Sequence, residues 1–176
     1  MSLIAEYSVT ARPDRGLVEV YDADAYVGGD EAYARSRVEV VAGDGFHLYL
    51  QTRHPDIAVR VTIRVWDAPR QPPEDAEGTV PVSLESETGR LVIGQVTLGP
   101  AGEMVMPRPG VYEGHATWSG RAVVAACCDV CNQRGAEGQG DSEGTVAEWS
   151  RCPRAEEYTL DLRFVRESDS EDDGEA

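Results

Sequence analysis

The chain has 176 residues, enough for one domain, and carries 32 acidic against 16 basic side chains, a formal net charge of -16. A hydrophobic share of 41% is that of an ordinary globular chain and supplies a core. So acidic a surface repels phosphate backbones and anionic lipid, which argues against direct nucleic-acid or membrane binding; a basic protein is its natural complement, and the alternative is that the acidity serves solubility alone.

Met1 to Thr10 carries neither a basic leader nor an apolar stretch, and no run reaches membrane-spanning length, so the expected location is cytoplasmic. From there two-residue periodicity dominates. Ile4–Thr10 and Leu17–Tyr21 read as strands separated by the turn Pro13-Asp14-Arg15-Gly16. Tyr21-Asp22-Ala23-Asp24 has the acids of a calcium loop, but the glycine and terminal glutamate do not follow at the required positions, so it reads as a solvated turn. Asp30–Arg37 is the one stretch read as a short helix, with Asp30 as its N-cap.

Arg37–Val41 reads as a strand, and after Gly43-Asp44-Gly45 the residues Phe46, Leu48 and Leu50 alternate with His47, Tyr49 and Gln51. Ile57, Val59, Val61, Ile63 and Val65 share one face of the next strand, opposite Arg60, Thr62 and Arg64. Ala68–Gly78, with three prolines and several acids, reads as an exposed loop. Further strands are expected at Val80–Leu84, Leu91–Leu98, Val111–Trp118 and Arg121–Cys127. A final strand has Tyr158, Leu160, Leu162 and Phe164 on one face, alternating with Thr159, Asp161 and Arg163. The whole predicts an all-β chain, an antiparallel β-sandwich with long loops and at most one short helix. Residues 1–166 form the domain, with a mobile loop over 132–149 rich in Gly, Glu and Gln, and 167–176 form a disordered acidic tail.

Of the four cysteines, Cys128-Asp129-Val130-Cys131 has the C-x-x-C spacing with which two thiolates grip a tetrahedral zinc. Cys152, beyond the long loop, would be a third ligand of a structural zinc site, with Cys127 or a distant residue such as His115 as the fourth. A Cys131–Cys152 or Cys128–Cys152 disulfide and plain buried thiols are the alternatives. Each gives a staple, not a catalyst: a redox C-x-x-C needs a helix N-terminus to acidify a thiol, and this one ends an expected strand.

Chemistry is otherwise sparse. His47, His54 and His115 read as surface histidines, without metal-ligand spacing. No nucleophile elbow or phosphate-cradling glycine loop is present, and Gly28-Gly29-Asp30 places acid where a phosphate would sit. Trp66 and Trp118 end strands, whereas Trp149 lies among polar loop residues as a contact candidate. With Asp22, Asp24, Asp30 and Glu31 it makes the expected partner-binding set.

One resemblance adds to this. Thr79-Val80-Pro81-Val82-Ser83-Leu84 is followed by Gly89-Arg90-Leu91-Val92-Ile93, then by Glu103-Met104-Val105-Met106-Pro107 and Pro109-Gly110-Val111-Tyr112. With Leu17-Val18-Glu19-Val20-Tyr21-Asp22 as an early strand, this order resembles the competence protein J family of bacterial nuclease inhibitors over about residues 17–118. The resemblance implies a β-sandwich that binds and blocks a nuclease, or an immunity-type relative of one. Function is therefore expected to be non-enzymatic binding of a basic nuclease or toxin. A metal- or small-molecule-binding domain built on the Cys127–Cys152 loop, and an enzyme of unrecognised type, are the alternatives.

Overall fold

The computed structural model describes residues 1–136 and 156–168. Alternating side chains sort its strands into two five-stranded sheets. One runs in the order β1 (Leu3–Ala11), β5 (Val59–Trp66), β10 (Glu157–Arg166), β9 (Gly110–Ser119), β6 (Gly78–Ser86). The other runs β3 (Val41–Gly43), β4 (His47–Gln51), β2 (Leu17–Asp22), β7 (Arg90–Gly94), β8 (Pro100–Val105). All pairings are antiparallel except β10 with β5, which is parallel.

The core lies between the sheets. Val59, Val61, Ile63 and Val65 of β5 and Tyr158, Leu160 and Leu162 of β10 meet Val18, Val20, Leu48, Leu50, Leu91 and Ile93 of the opposite sheet. The alternation read from the sequence is the one that builds this interior, and the all-β sandwich stands. Ile63 and Leu160 are fully buried, so truncating either to alanine costs about 2–5 kcal/mol.

Two helices are present among the described residues, where at most one was expected. α1 (Asp30–Glu39) is longer than predicted, so Arg37–Glu39 is helical rather than strand, and its N-cap is Gly29 rather than Asp30. The helix stops at Val40, whose φ of 70° takes the chain out of the helical basin and into β3. α2 (Arg121–Ala136) replaces the strand expected at Arg121–Cys127. The run Arg-Ala-Val-Val-Ala-Ala-Cys fits either periodicity, and its alanines favour the helix. What tips the balance lies elsewhere in the chain: the Glu77 carboxylate accepts hydrogen bonds from the Gly120 and Arg121 amides at 3.1 and 2.9 Å, meeting donors that the first turn leaves unpaired. Leu91–Leu98 also divides, into β7 and a short 3-10 turn at Val96–Leu98, and β8 follows where no separate strand was expected.

The histidines are buried rather than superficial. His47, His54 and His115 are 1%, 8% and 8% exposed. His47 and His115 do lie on the outward faces of their strands, as alternation requires, but those faces are covered by loops and, at β4, by α1.

Candidate protein-binding face

The outward face of the second sheet carries Leu17, Glu19 and Tyr21 from β2, with Val18 and Val20 turned into the core. Register places Tyr21 opposite His47 and Glu19 opposite Tyr49. The rings stack in a row: Tyr21 and His47 at 4.9 Å between centroids, His47 and Tyr49 at 4.7 Å, and Tyr49 edge-on to Tyr33 of α1 at 5.6 Å. Ala32 joins Leu17 and Tyr49 in a small buried cluster. Helix α1 is thereby docked on the sheet, although its sequence has little apolar patterning of its own.

Polar contacts then fix the 23–29 loop over this row. His47 Nε2 is 3.1 Å from a Glu19 oxygen and Nδ1 is 3.2 Å from the Ala25 carbonyl. A Cβ at Gly28 would stand 2.1 Å from the Tyr49 hydroxyl, so the loop approaches the rings as closely as glycine permits. Burial raises the Tyr49 and Tyr21 phenol pKa values, and the Glu19 carboxylate adds to the shift in both.

Asp44, in the β3–β4 turn, ties the loop down. Its carboxylate accepts from the Gly29, Phe46 and His47 amides, each at 2.9 Å. Burial pushes its pKa up, but the three amide hydrogen bonds and the nearby His47 outweigh this, and the net shift is downward.

What this frame presents to solvent is an apolar tip with an acidic surround. Tyr26 and Val27 are 72% and 78% exposed, and Phe46 and Tyr33 are partly exposed beside them. Asp24, Asp30, Glu31 and Asp44 are exposed on the same loop, helix start and turn. The arginines of α1 are otherwise engaged: Arg35 donates to the Gly43 carbonyl, and Arg37 lies over the Tyr33 ring.

The structure brings three of the predicted contact acids together here and removes a fourth. Asp22 is 1% exposed. One of its oxygens accepts from the Ser86 hydroxyl at 2.7 Å and from the Thr88 hydroxyl and amide at 2.8 and 3.2 Å; the other accepts from the Asp24 amide. It pins the β6–β7 turn to the start of the 23–29 loop and has no surface to offer a partner. Tyr26, Val27, Phe46 and Asp44 were not anticipated. Their signal was the Gly-Gly and Gly-Asp-Gly punctuation, which marks turns but not that two turns meet.

The predicted cysteine site falls on α2 instead of a strand end. Cys127 is disulfide-bonded, while Cys128 and Cys131 are free thiols, so neither takes part in the disulfide expected of one of them. Three-residue spacing on a helix puts Cys128 and Cys131 on one face. Burial raises the Cys128 thiol pKa, followed by the neighbouring Cys131, Asp129 and Glu156, which suits neither nucleophilic attack nor easy metal binding. Cys152 and Trp149 lie outside the described residues, and among the described residues no group of three or more His, Cys, Asp or Glu side chains is arranged to hold a metal.

No helix among the described residues is long and apolar enough to cross a membrane. A two-sheet sandwich with a helix on one outer face, a second helix after β9 and a final strand parallel to β5 and antiparallel to β9 is the class this fold defines. No protein-family model and no curated protein sequence matches the chain. Its fold is similar to that of the crystal structure of ComJ, inhibitor of the DNA degrading activity of NucA, from Bacillus subtilis. The TM-score is 0.57 at 10% identity, covering 93% of this chain and 98% of that one. It is also similar to the structure titled crocagin biosynthetic gene J, with a TM-score of 0.50 at 16% identity, covering 94% and 100% of the two chains. The resemblance drawn from the hairpin motifs thus holds at the level of fold, and over far more of the chain than those motifs span.

Proposed function

We propose that this chain is a protein-binding module of the inhibitor or immunity type, directed against a basic nuclease or toxin. The observation that carries the reading is the exposed Tyr26–Val27 tip among Asp24, Asp30, Glu31 and Asp44, fixed to the sheet by the Asp44 amide contacts. An apolar anchor within a ring of like charges is the anatomy of an interface that steers a partner of opposite charge and then excludes water around a few central contacts. The net charge of -16 supports the same partner. An acidic protein competes well for a surface that otherwise receives nucleic-acid phosphates. The fold likeness to an inhibitor of a DNA-degrading enzyme supports the inhibitor form of the reading.

The test has two stages. Tagged protein is used to capture partners from its native host, and the captured protein is assayed for nucleic-acid cleavage against increasing amounts of this chain. Inhibition that saturates at a fixed stoichiometry, and weakens when Tyr26 and Val27 are both changed to Ser, supports the proposal. A captured nuclease whose activity is indifferent to the chain would refute it.

A further inference from the structure

β1 is an edge strand of the first sheet and pairs with β5 alone. An open strand edge offers unpaired amide and carbonyl groups to another chain, and folded proteins block it with proline, short length, an irregularity or a cover. Three of the four sheet edges are blocked in this way. β6 contains Pro81, β3 is three residues long with α1 packed on it, and β8 begins at Pro100 beside a shift in register at Ile93–Gly94. β1 has a shift of its own between Leu3 and Ala5, but from Ala5 to Ala11 it runs without interruption. Glu6, Ser8 and Thr10 on that stretch are exposed. Tyr7 turns inward and packs so closely over Gly102 of β8 that a Cβ there would collide with its hydroxyl.

The charge of this edge differs from that of the molecule. β1 and β5 together hold one acid, Glu6, against two bases, Arg60 and Arg64, in a chain of net charge -16. A basic partner is not drawn here, and a second copy of the chain is repelled less here than at the acidic tip. Glu6 is 2.5 Å from Arg64. Arg60 is exposed, stands opposite Thr10, and makes no ion pair among the described residues.

We propose that β1 pairs antiparallel with β1 of a second copy, about a two-fold axis at Ser8. That register sets Ser8 against Ser8 of the second copy, Glu6 against its Thr10 and Tyr7 against its Val9. Inward side chains meet inward ones, and no carboxylate opposes another. Because Thr10 stands beside Arg60, Glu6 of each copy falls in one row with Thr10 and Arg60 of the other. Two strand spacings, about 10 Å, separate Glu6 from that Arg60, a gap that two long side chains span over a threonine. The two five-stranded sheets become one continuous sheet. In the other sheet, α1 lies by β3 and β4, at the side away from β8 and β1. Both Tyr26–Val27 tips therefore stay free, and the dimer presents two binding faces. The pairing itself does not depend on what those faces bind.

Sedimentation equilibrium of the full chain at physiological ionic strength, where salt screens the repulsion between copies, reads the dimer directly. Monomer should give way to dimer between micromolar and millimolar concentration. Ser8→Glu sets two carboxylates face to face on the axis, whereas Thr79→Glu adds the same charge at an exposed position on β6, the far edge of the same sheet. Ser8→Glu should weaken the dimer at least about tenfold and Thr79→Glu less than about twofold, with circular dichroism melts showing that both fold. Arg60→Gln, at an exposed position, should weaken it about fivefold through the loss of two exposed ion pairs. A parent chain that stays monomeric throughout, or a dimer as tight in Ser8→Glu and Arg60→Gln as in Thr79→Glu, would overturn the proposal.

Discussion

The Glu77 carboxylate accepts the Arg121 amide at 2.9 Å across 44 positions of sequence, and the start of α2 rests on that contact. Glu77→Ala should therefore lower stability by about 1 kcal/mol, the usual cost of a lost N-terminal cap, with part of the loss visible as a smaller helical signal in circular dichroism. A variant as stable and as helical as the parent would mean that alanine propensity alone holds the helix.

That contact also explains what could be read from the sequence and what could not. Strands such as β5 and β10 were legible because each alternates over eight or more residues against one continuous core. Arg121–Cys127 was not, because its run of Ala, Val and Cys after Arg121 satisfies both periodicities and the deciding carboxylate belongs to a distant loop. The same holds for the site. Asp24, Asp30 and Glu31 are exposed, as charge in a turn or at a helix start is by default, while Asp22 is buried because its partners, Ser86 and Thr88, arrive from another hairpin. The histidines were misjudged because alternation gives a side chain's face but not what covers that face.

The two kinds of acid should separate on mutation. Asp22→Asn leaves the carbonyl oxygen but removes the charge that accepts three hydrogen bonds at one atom, and should destabilise the fold by about 1–3 kcal/mol in urea unfolding. Asp24→Asn, Asp30→Asn and Glu31→Gln, alone or combined, should leave the unfolding midpoint nearly unchanged. The opposite ranking would place the functional surface elsewhere.

Acid should loosen the 23–29 loop through Asp44. Its folded pKa lies below the unfolded value of about 4, so its contribution is complete above that value and is lost as pH falls through the lower folded one. Asp44→Asn should flatten the stability profile in that acidic window. His115 acts at higher pH with the same sign. Its folded pKa is lowered, so the unfolded chain takes up the proton first, and stability declines as pH falls below about 6.5. His115→Gln should remove that slope, as read from melting temperatures between neutral and mildly acidic pH.

Thiol chemistry gives a simple count. With Cys127 in a disulfide and Cys128 and Cys131 free, denatured but unreduced protein should titrate two thiols, and reduction should raise the count to all four cysteines. Four thiols before reduction would show that the chain carries no disulfide.

The proposed attraction of a basic protein to the acidic surround of the Tyr26–Val27 tip acts on the association step. Its most direct measurement is the association rate with the captured nuclease as a function of salt, for the parent and for the Asp24→Asn, Asp30→Asn, Glu31→Gln triple variant. The parent's rate should fall as salt rises while dissociation changes little; the variant should associate more slowly at low salt and converge on the parent at high salt. Equal association rates for the two proteins at low salt would show that these acids do not steer a partner.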